Sequence, residues 1–450
     1  MPAAGAGAVG VAPGERAPRL LFAAMAVALA VTTWVGAALT WDGSYYFFNL
    51  LDHGQPVVIF ERYTSVVLQL PVLAAVRLTD NIDVLRVAFG APLAAVPLLS
   101  VGGCWLVVRR RAPGLLVWPV LGVAVAMLPA VFFQVSETVD AYLLAWILFV
   151  ATVVGIDRRL LPILVPAVAA IFFLSAVAAY LFLIVAAMAV VLSLRDPTRR
   201  RTLLLWAGAL VLLAAGRRFL FQVDFQQHPT ELGAVVAQFL SLRGKALVGV
   251  LGAWAAGVLL ILPLPRGLGT PGVRRLLPLA PLAVAFVAMA LWAWDPRAWS
   301  GALDYRDRAI SFEAPLVGLM VLDWWRRGRD AAAPMLDADR RLLVNASGLV
   351  FMAVLVAQSI SWSSVTARLL AELDAAPGSC VGTAAVAMPN TAAEHWSKPT
   401  LAMALQGRSP SRLVLDPEDC AALTSRGVVR LNDFDTVRAT GGWFRFPRRG

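Results

Sequence analysis

Residues 84–111 read VLRVAFGAPLAAVPLLSVGGCWLVVRRR. The 25 residues before the arginines carry one charge, Arg86. A helix crossing the hydrocarbon layer needs about 20 mostly apolar residues, so this stretch predicts a membrane span. The closing Arg109, Arg110 and Arg111 mark its cytoplasmic end, because basic clusters stay on that side. The pattern recurs along the chain. Apolar runs near 20–40, 84–108, 114–133, 140–156, 160–175, 177–194, 202–221, 246–262, 276–294, 309–325 and 342–361 predict about eleven transmembrane helices. The runs at 160–175 and 177–194 are short and nearly continuous, so a re-entrant pair is the other reading of them.

Composition agrees. Of 450 residues, 59% are apolar and 15% are charged, with mean hydropathy +0.73. Soluble domains carry about 25% charge, so an ordinary soluble enzyme is excluded, and so is a disordered chain. The formal charge of +11 would suit nucleic acid. However, the basic residues lie in short clusters between apolar runs, which orients a polytopic chain and gives no nucleic-acid surface. Only three Cys are present, so a disulfide-dense scaffold is excluded.

With the N-terminus cytoplasmic, the clusters at Arg16/Arg19, Arg109–Arg111, Arg158/Arg159, Arg195 with Arg199–Arg201, Arg266/Arg274/Arg275 and Arg326–Arg341 all fall inside. Residues 64–78 would break this alternation as a span. They are 15 long, contain Pro71, and read as an interfacial helix on the outer leaflet. The first outer loop then runs from 41 to 83. The first apolar run is too long for a signal-peptide core and lacks an A-x-A site, so it is expected to stay as an anchor. The expected organisation is a disordered cytoplasmic segment 1–19, a transmembrane domain 20–361 and a small extracytoplasmic α/β domain 362–450. In the last, SCVGTAAVA (379–387) and RLVLDPED (412–419) alternate like short strands. Cys380 and Cys420 both fall there and are either a disulfide or two buried thiols. A disulfide closing that loop would stabilise by roughly 4 kcal/mol.

No nucleotide-binding, zinc-protease, redox or serine-hydrolase motif occurs. Asn345-Ala346-Ser347 opens a span, so its glycosylation pattern is chance. The informative feature is a distribution. His53, His228 and His395 fall on the outer side, together with Asp42, Asp52, Glu61, Glu137, Asp140, Asp224, Glu231, Asp295, Asp304, Asp307 and Glu313. Ionisable groups at membrane ends are functional candidates, because desolvating them is costly. Asp42 is the sharpest. It sits in WDGSYYF just past the first span, where Gly43 lets the chain turn. It is either a general base with a desolvated carboxylate or an ordinary acid in a solvated turn.

The stretch WDGSYYFFNLLDHGQPVV (41–58) resembles the first outer loop of GT-C-fold glycosyltransferases. Such a loop opens with an acid after the first span, then an aromatic, then a Gly; Asp42, Tyr45, Tyr46 and Gly54 match. The surface helix with Pro71, the Arg86 opening the second span, Pro129 and the acidic FFQVSETVDAY (132–142) continue the likeness. Two departures are Gly43, where many relatives carry a second acid, and a C-terminal domain with no familiar carbohydrate-binding module. The resemblance implies an all-α polytopic enzyme moving a sugar, with inversion, from a polyprenyl-phosphate donor to an acceptor hydroxyl on the outer face. Asp42 would be the base. Glu137 or Asp140 would orient the acceptor or hold a divalent cation, which the fold does not require.

The residues themselves suggest the rest. A lipid-phosphate leaving group needs cations at the outer face; Arg62, Arg217, Arg218, His228, Arg243/Lys245, Arg306 and Arg308 are candidates. Arg306 and Arg308 alternate with Asp304 and Asp307, so an internal ion-pair network is the competing reading. For Arg217 and Arg218 it is snorkelling at a span end. Tyr45, Tyr46 and Trp299 either stack on sugars or anchor at the interface. Expected partners are the donor, membrane lipids and a glycan, lipid or protein acceptor. The rivals are a transporter or flippase for a lipid-linked glycan, another lipid-linked transferase, and a non-catalytic scaffold. Charges at span ends weigh against a transporter, which keeps them near the midplane. Arg and Ala richness with only Lys245 and Lys398 suggests a high-GC bacterial inner membrane.

Overall fold

The computed structural model describes residues 18–58, 61–127, 136–221, 314–326 and 338–376, and shorter stretches between 380 and 438. It is mostly helical. In chain order the α-helices are α1 (Arg19–Trp34), α2 (Asp42–His53), α3 (Thr64–Val76), α4 (Ile82–Val108), α5 (Val117–Met127), α6 (Glu137–Val154), α7 (Leu161–Leu174), α8 (Ala178–Arg195), α9 (Arg200–Leu220), α10 (Ala314–Arg326), α11 (Ala338–Ala375) and α12 (Lys398–Gln406). Among the described residues, α4, α6, α8, α9 and α11 are long and apolar enough to cross a membrane.

Within the described residues, five of the eleven expected spans are helices of spanning length. The runs at 246–262 and 276–294 lie outside the described residues, and the run at 114–133 lies partly outside. Two other expected spans form shorter helices, α1 with 16 residues and α7 with 14, and the run at 309–325, which holds α10, lies partly outside the described residues. For α1 the reason is local. Gly36 adopts φ +73°, a left-handed conformation open to glycine, and its N–H bonds Thr33 O at 3.1 Å. The chain therefore leaves the helix six residues before the apolar run ends near 40. Conversely, α11 does not stop near 361 but continues to Ala375.

The core is built around α6, which is buried along nearly its whole length. It packs on α4, α5, α7 and α8. Gly103 lets α4 approach closely, since a Cβ there would lie 2.6 Å from the Ile147 side chain. Asn81 caps α4 by accepting from Asp83 N and Val84 N at 2.9 and 3.3 Å. α8 and α9 pack together, as do α1 and α11. In the latter pair Thr32 and Ser359 hydroxyls meet at 3.2 Å and the Trp362 indole N–H reaches Val35 O at 3.0 Å.

At the C-terminal end of α6, residues from three basic segments meet. Arg199 donates to Thr152 O and Val153 O at 2.9 and 3.1 Å, satisfying carbonyls the helix leaves bare. Arg111 pairs with Asp157 and donates to Gly155 O. The Arg109–Arg111, Arg158/Arg159 and Arg195–Arg201 clusters thus lie at one end of the bundle.

Beyond α11, β1 (Cys380–Gly382) pairs in parallel with β2 (Leu413–Leu415), in register Cys380 to Leu413. β3 (Val428–Arg430) and β4 (Thr436–Arg438) form an antiparallel pair. Cys380 and Cys420 are joined by a disulfide spanning 40 residues, so the closed loop contains β1, α12 and β2. The Lys398 ammonium, its pKa pushed down by burial, donates to Thr383 O and Val386 O at 3.1 and 3.2 Å. α12 packs on α2.

Candidate functional site

The stretch expected to be a loop after the first span is largely helix α2. The sharp turn falls at Trp41, with φ +50°, and not at Gly43, which is helical and buried. Asp42 therefore opens a helix, where a carboxylate faces the helix dipole favourably. Tyr46 follows four residues later on the same face. A second non-glycine residue with positive φ, Glu61 at +60°, directly precedes Arg62. Such backbone typically costs on the order of 1–3 kcal/mol and gathers at functional sites. Here both instances sit one residue ahead of a candidate side chain.

These segments converge on the first turn of α6. The Tyr46 hydroxyl donates to Glu137 Oε1, and Arg62 Nη1 donates to Glu137 Oε2 at 3.0 Å. Both carboxylate oxygens of Glu137 are engaged. Tyr46 and Glu137 are each 3% exposed, and Arg62 and Asp140 are each 8% exposed. Burial pushes the Tyr46 phenol well above its ordinary pKa, and the negative charges of Glu137 and then Asp42 add to the shift. Asp42 itself is half-buried and Tyr45 meets Tyr46 edge-on at 6.3 Å. Asp140 shares a cavity of about 20 Å³ with Tyr46, Ser65, Gln69, Phe89 and Glu137. That is room for roughly one water-sized group. Gln69 fixes the approach of the loop, its amide exchanging two 2.8 Å bonds with the backbone of Val57.

Arg217 lies beside this cluster, fully buried. Its Nε donates to Ser175 O at 3.3 Å, and its guanidinium stands 4.4 Å over the Phe221 ring. The Ser175 hydroxyl meets that of Thr138, the residue after Glu137, at 3.0 Å. Tyr63, next to Arg62, packs edge-on against Phe173 and Phe221. Arg218, the next residue of α9, is exposed. His228, Arg243, Lys245, Trp299, Arg306 and Arg308 lie outside the described residues.

Of the side chains singled out from the sequence, Asp42, Tyr45, Tyr46, Arg62, Glu137 and Asp140 thus gather at one end of α6, with Arg217 adjoining. Arg62 serves as the partner of Glu137. Ser44, Ser65 and Gln69 also shape the site, and their small or neutral side chains carry no sequence signal that would single them out. Among the described residues no group of three or more His, Cys, Asp or Glu is arranged to hold a metal. A cation at Glu137 would compete with Tyr46 and Arg62. No protein-family model matches the chain, and no curated protein or solved structure matches it.

Proposed function

We propose that this chain is a membrane-embedded, inverting glycosyltransferase that takes a sugar from a polyprenyl-phosphate donor at the outer membrane face. One observation carries the reading. Residues separated by up to 98 positions, Asp42 to Asp140, come together at one end of the bundle with a half-exposed carboxylate at the rim and a buried, neutralised pair behind it. In this reading Asp42 takes the proton of the acceptor hydroxyl. The freed oxygen attacks the anomeric carbon opposite the phosphate, and the carbon–phosphate oxygen bond breaks. Arg217 and Arg218 answer the charge of the departing lipid phosphate, with His228, Arg306 and Arg308 as further candidates. Asp140 receives a hydroxyl of the acceptor, and a divalent cation is optional.

The full topology belongs to the same proposal. It has eleven spans, a cytoplasmic N-terminus and an extracytoplasmic segment after α11. A flippase or transporter is the rival, but the ionisable cluster lies at the first turn of α6, whereas transporters place theirs near the bilayer midplane.

The test compares wild type with Asp42→Asn in detergent at matched yield and melting temperature. A panel of polyprenyl-phosphate sugars is offered with candidate acceptors, and released carrier phosphate is followed by mass spectrometry. Loss of a general base should lower turnover by about 10²–10⁴-fold. Equal turnover by the variant would remove Asp42 from the chemistry. No release from any donor by folded wild type would favour the flippase, and flipping in liposomes would then decide.

A further inference from the structure

The disulfide-closed loop reaches the site through one helix. Ser44 lies two residues after Asp42 and is wholly buried. Its hydroxyl stands 3.0 Å from Trp41 O, 3.4 Å from Ser397 O and 3.2 Å from the Thr400 hydroxyl. Ser397 and Thr400, at the start of α12, are also wholly buried, and the Thr400 hydroxyl donates to Ser397 O at 3.0 Å. Trp41 is the residue with positive φ that sets the direction of α2. A hydroxyl network therefore joins α12 to the strained turn that aims Asp42. α12 is in turn held from several sides. Lys398 ties it to the turn after β1, Gln406 exchanges bonds with the backbone of Arg412, and the Cys380–Cys420 disulfide closes the loop around all three elements.

We infer that Thr400 is a positioning residue for Asp42, acting through Ser44, and that the Cys380–Cys420 disulfide keeps α12 seated so that it can do so. The role assigned to Asp42 rests on the transferase reading; the mechanical coupling does not. The site is then complete only where the disulfide persists, that is, in an oxidising compartment. Reduction by a dithiol would add two electrons and two protons to the Cys380–Cys420 bond and leave the dithiol oxidised to its own disulfide.

Two readouts test this on the full-length protein. The first is turnover of Thr400→Val, Thr400→Ser and the double variant Cys380→Ser/Cys420→Ser. Small misplacements of a reacting group are costly to rate, so Thr400→Val should lower kcat on the order of tenfold with donor KM nearly unchanged. Thr400→Ser should restore it, and the double Cys variant should show the same split. The second readout needs no activity. A Tyr45→Cys reporter next to the turn is labelled with a maleimide in each background; Cys104 is buried and the native disulfide does not react. Labelling should quicken several-fold in Thr400→Val and in the double variant, and return to the parent rate in Thr400→Ser. Unchanged labelling in folded Thr400→Val would overturn the inference. If wild type turns over no donor, faster labelling still supports the coupling while the transferase reading falls. A parallel fall of kcat and folded yield, with no change in labelling, would reduce Thr400 to a general stabiliser and also overturn it.

Discussion

At its N-terminus α6 presents Glu137 and Asp140 to Tyr46, Arg62 and a small cavity, whereas at its C-terminus it presents bare carbonyls to Arg199 and a neighbouring ion pair, Arg111 with Asp157. Both arrangements suit the helix dipole, acids at one end and cations at the other. They differ in burial. The Arg62 and Glu137 side chains are 9% and 4% exposed, whereas those of Arg111 and Arg199 are 48% and 28% exposed. Half-exposed arginines on carbonyls cap a helix at little desolvation cost. A buried ion pair costs several kcal/mol of desolvation per ion, and well-packed apolar side chains often do as well or better. Stability explains the Arg199 end. It does not explain why charge is kept at the Glu137 end, for which the proposed transfer chemistry gives a reason.

The contrast can be broken most easily at Glu137. Glu137→Ala leaves Arg62 charged and buried, and should destabilise by about 3–5 kcal/mol, read as a large fall in melting temperature in detergent. Arg62→Met with Glu137→Leu should recover most of that loss while turnover stays absent. Recovery of both would make the pair merely structural. At the other end, Arg199→Ala removes the bonds to Thr152 O and Val153 O and should cost about 1.5–3 kcal/mol. Specific turnover of the folded fraction should not change.

A finer difference is in pH dependence. Tyr46 has a raised pKa in the folded state, so its contribution is complete below the ordinary tyrosine value of about 10 and is lost as pH rises through the folded value. Tyr46→Phe should cost about 1.5 kcal/mol at neutral pH and flatten the alkaline fall of melting temperature. Asp157 behaves oppositely. The Arg159 backbone N–H, and then Arg111, hold its carboxyl below the usual range. Its contribution is present above about pH 3.9 and lost as pH falls through the folded value. Asp157→Asn should therefore remove a small acid-side slope and nothing else. It is the weakest effect expected, since the residue is partly exposed and its partner Arg111 is half-exposed.

Hydropathy found α4, α6, α8 and α9 because their apolar runs are as long as the helices themselves. It marked the apolar part of α11 as a span but not the length of the helix, whose second half, SWSSVTARLLAELDA, is polar while remaining helical. The reverse mismatch occurs at residues 35–40, where the chain stays apolar but Gly36 ends the helix. Hydropathy reads solvent, not backbone conformation. At the site, charged and aromatic residues could be named one by one, because buried charge is costly wherever it lies. Their pairing could not. Nothing in the spacing of Arg62, Tyr46 and Glu137 says that one carboxylate takes both, and nothing in Ser44 or Thr400 says that they touch.

The length of α11 has a geometric consequence. Its 38 residues contain no proline and extend about 57 Å, nearly twice the hydrocarbon thickness of about 30 Å. It works as a mast with a fixed phase. One inserted residue in its polar half would turn everything beyond by about 100° and raise it by about 1.5 Å. α12 would then face away from α2. The angle at which the disulfide-closed loop meets the site is thus set by the residue count of a helix that touches none of the chemistry.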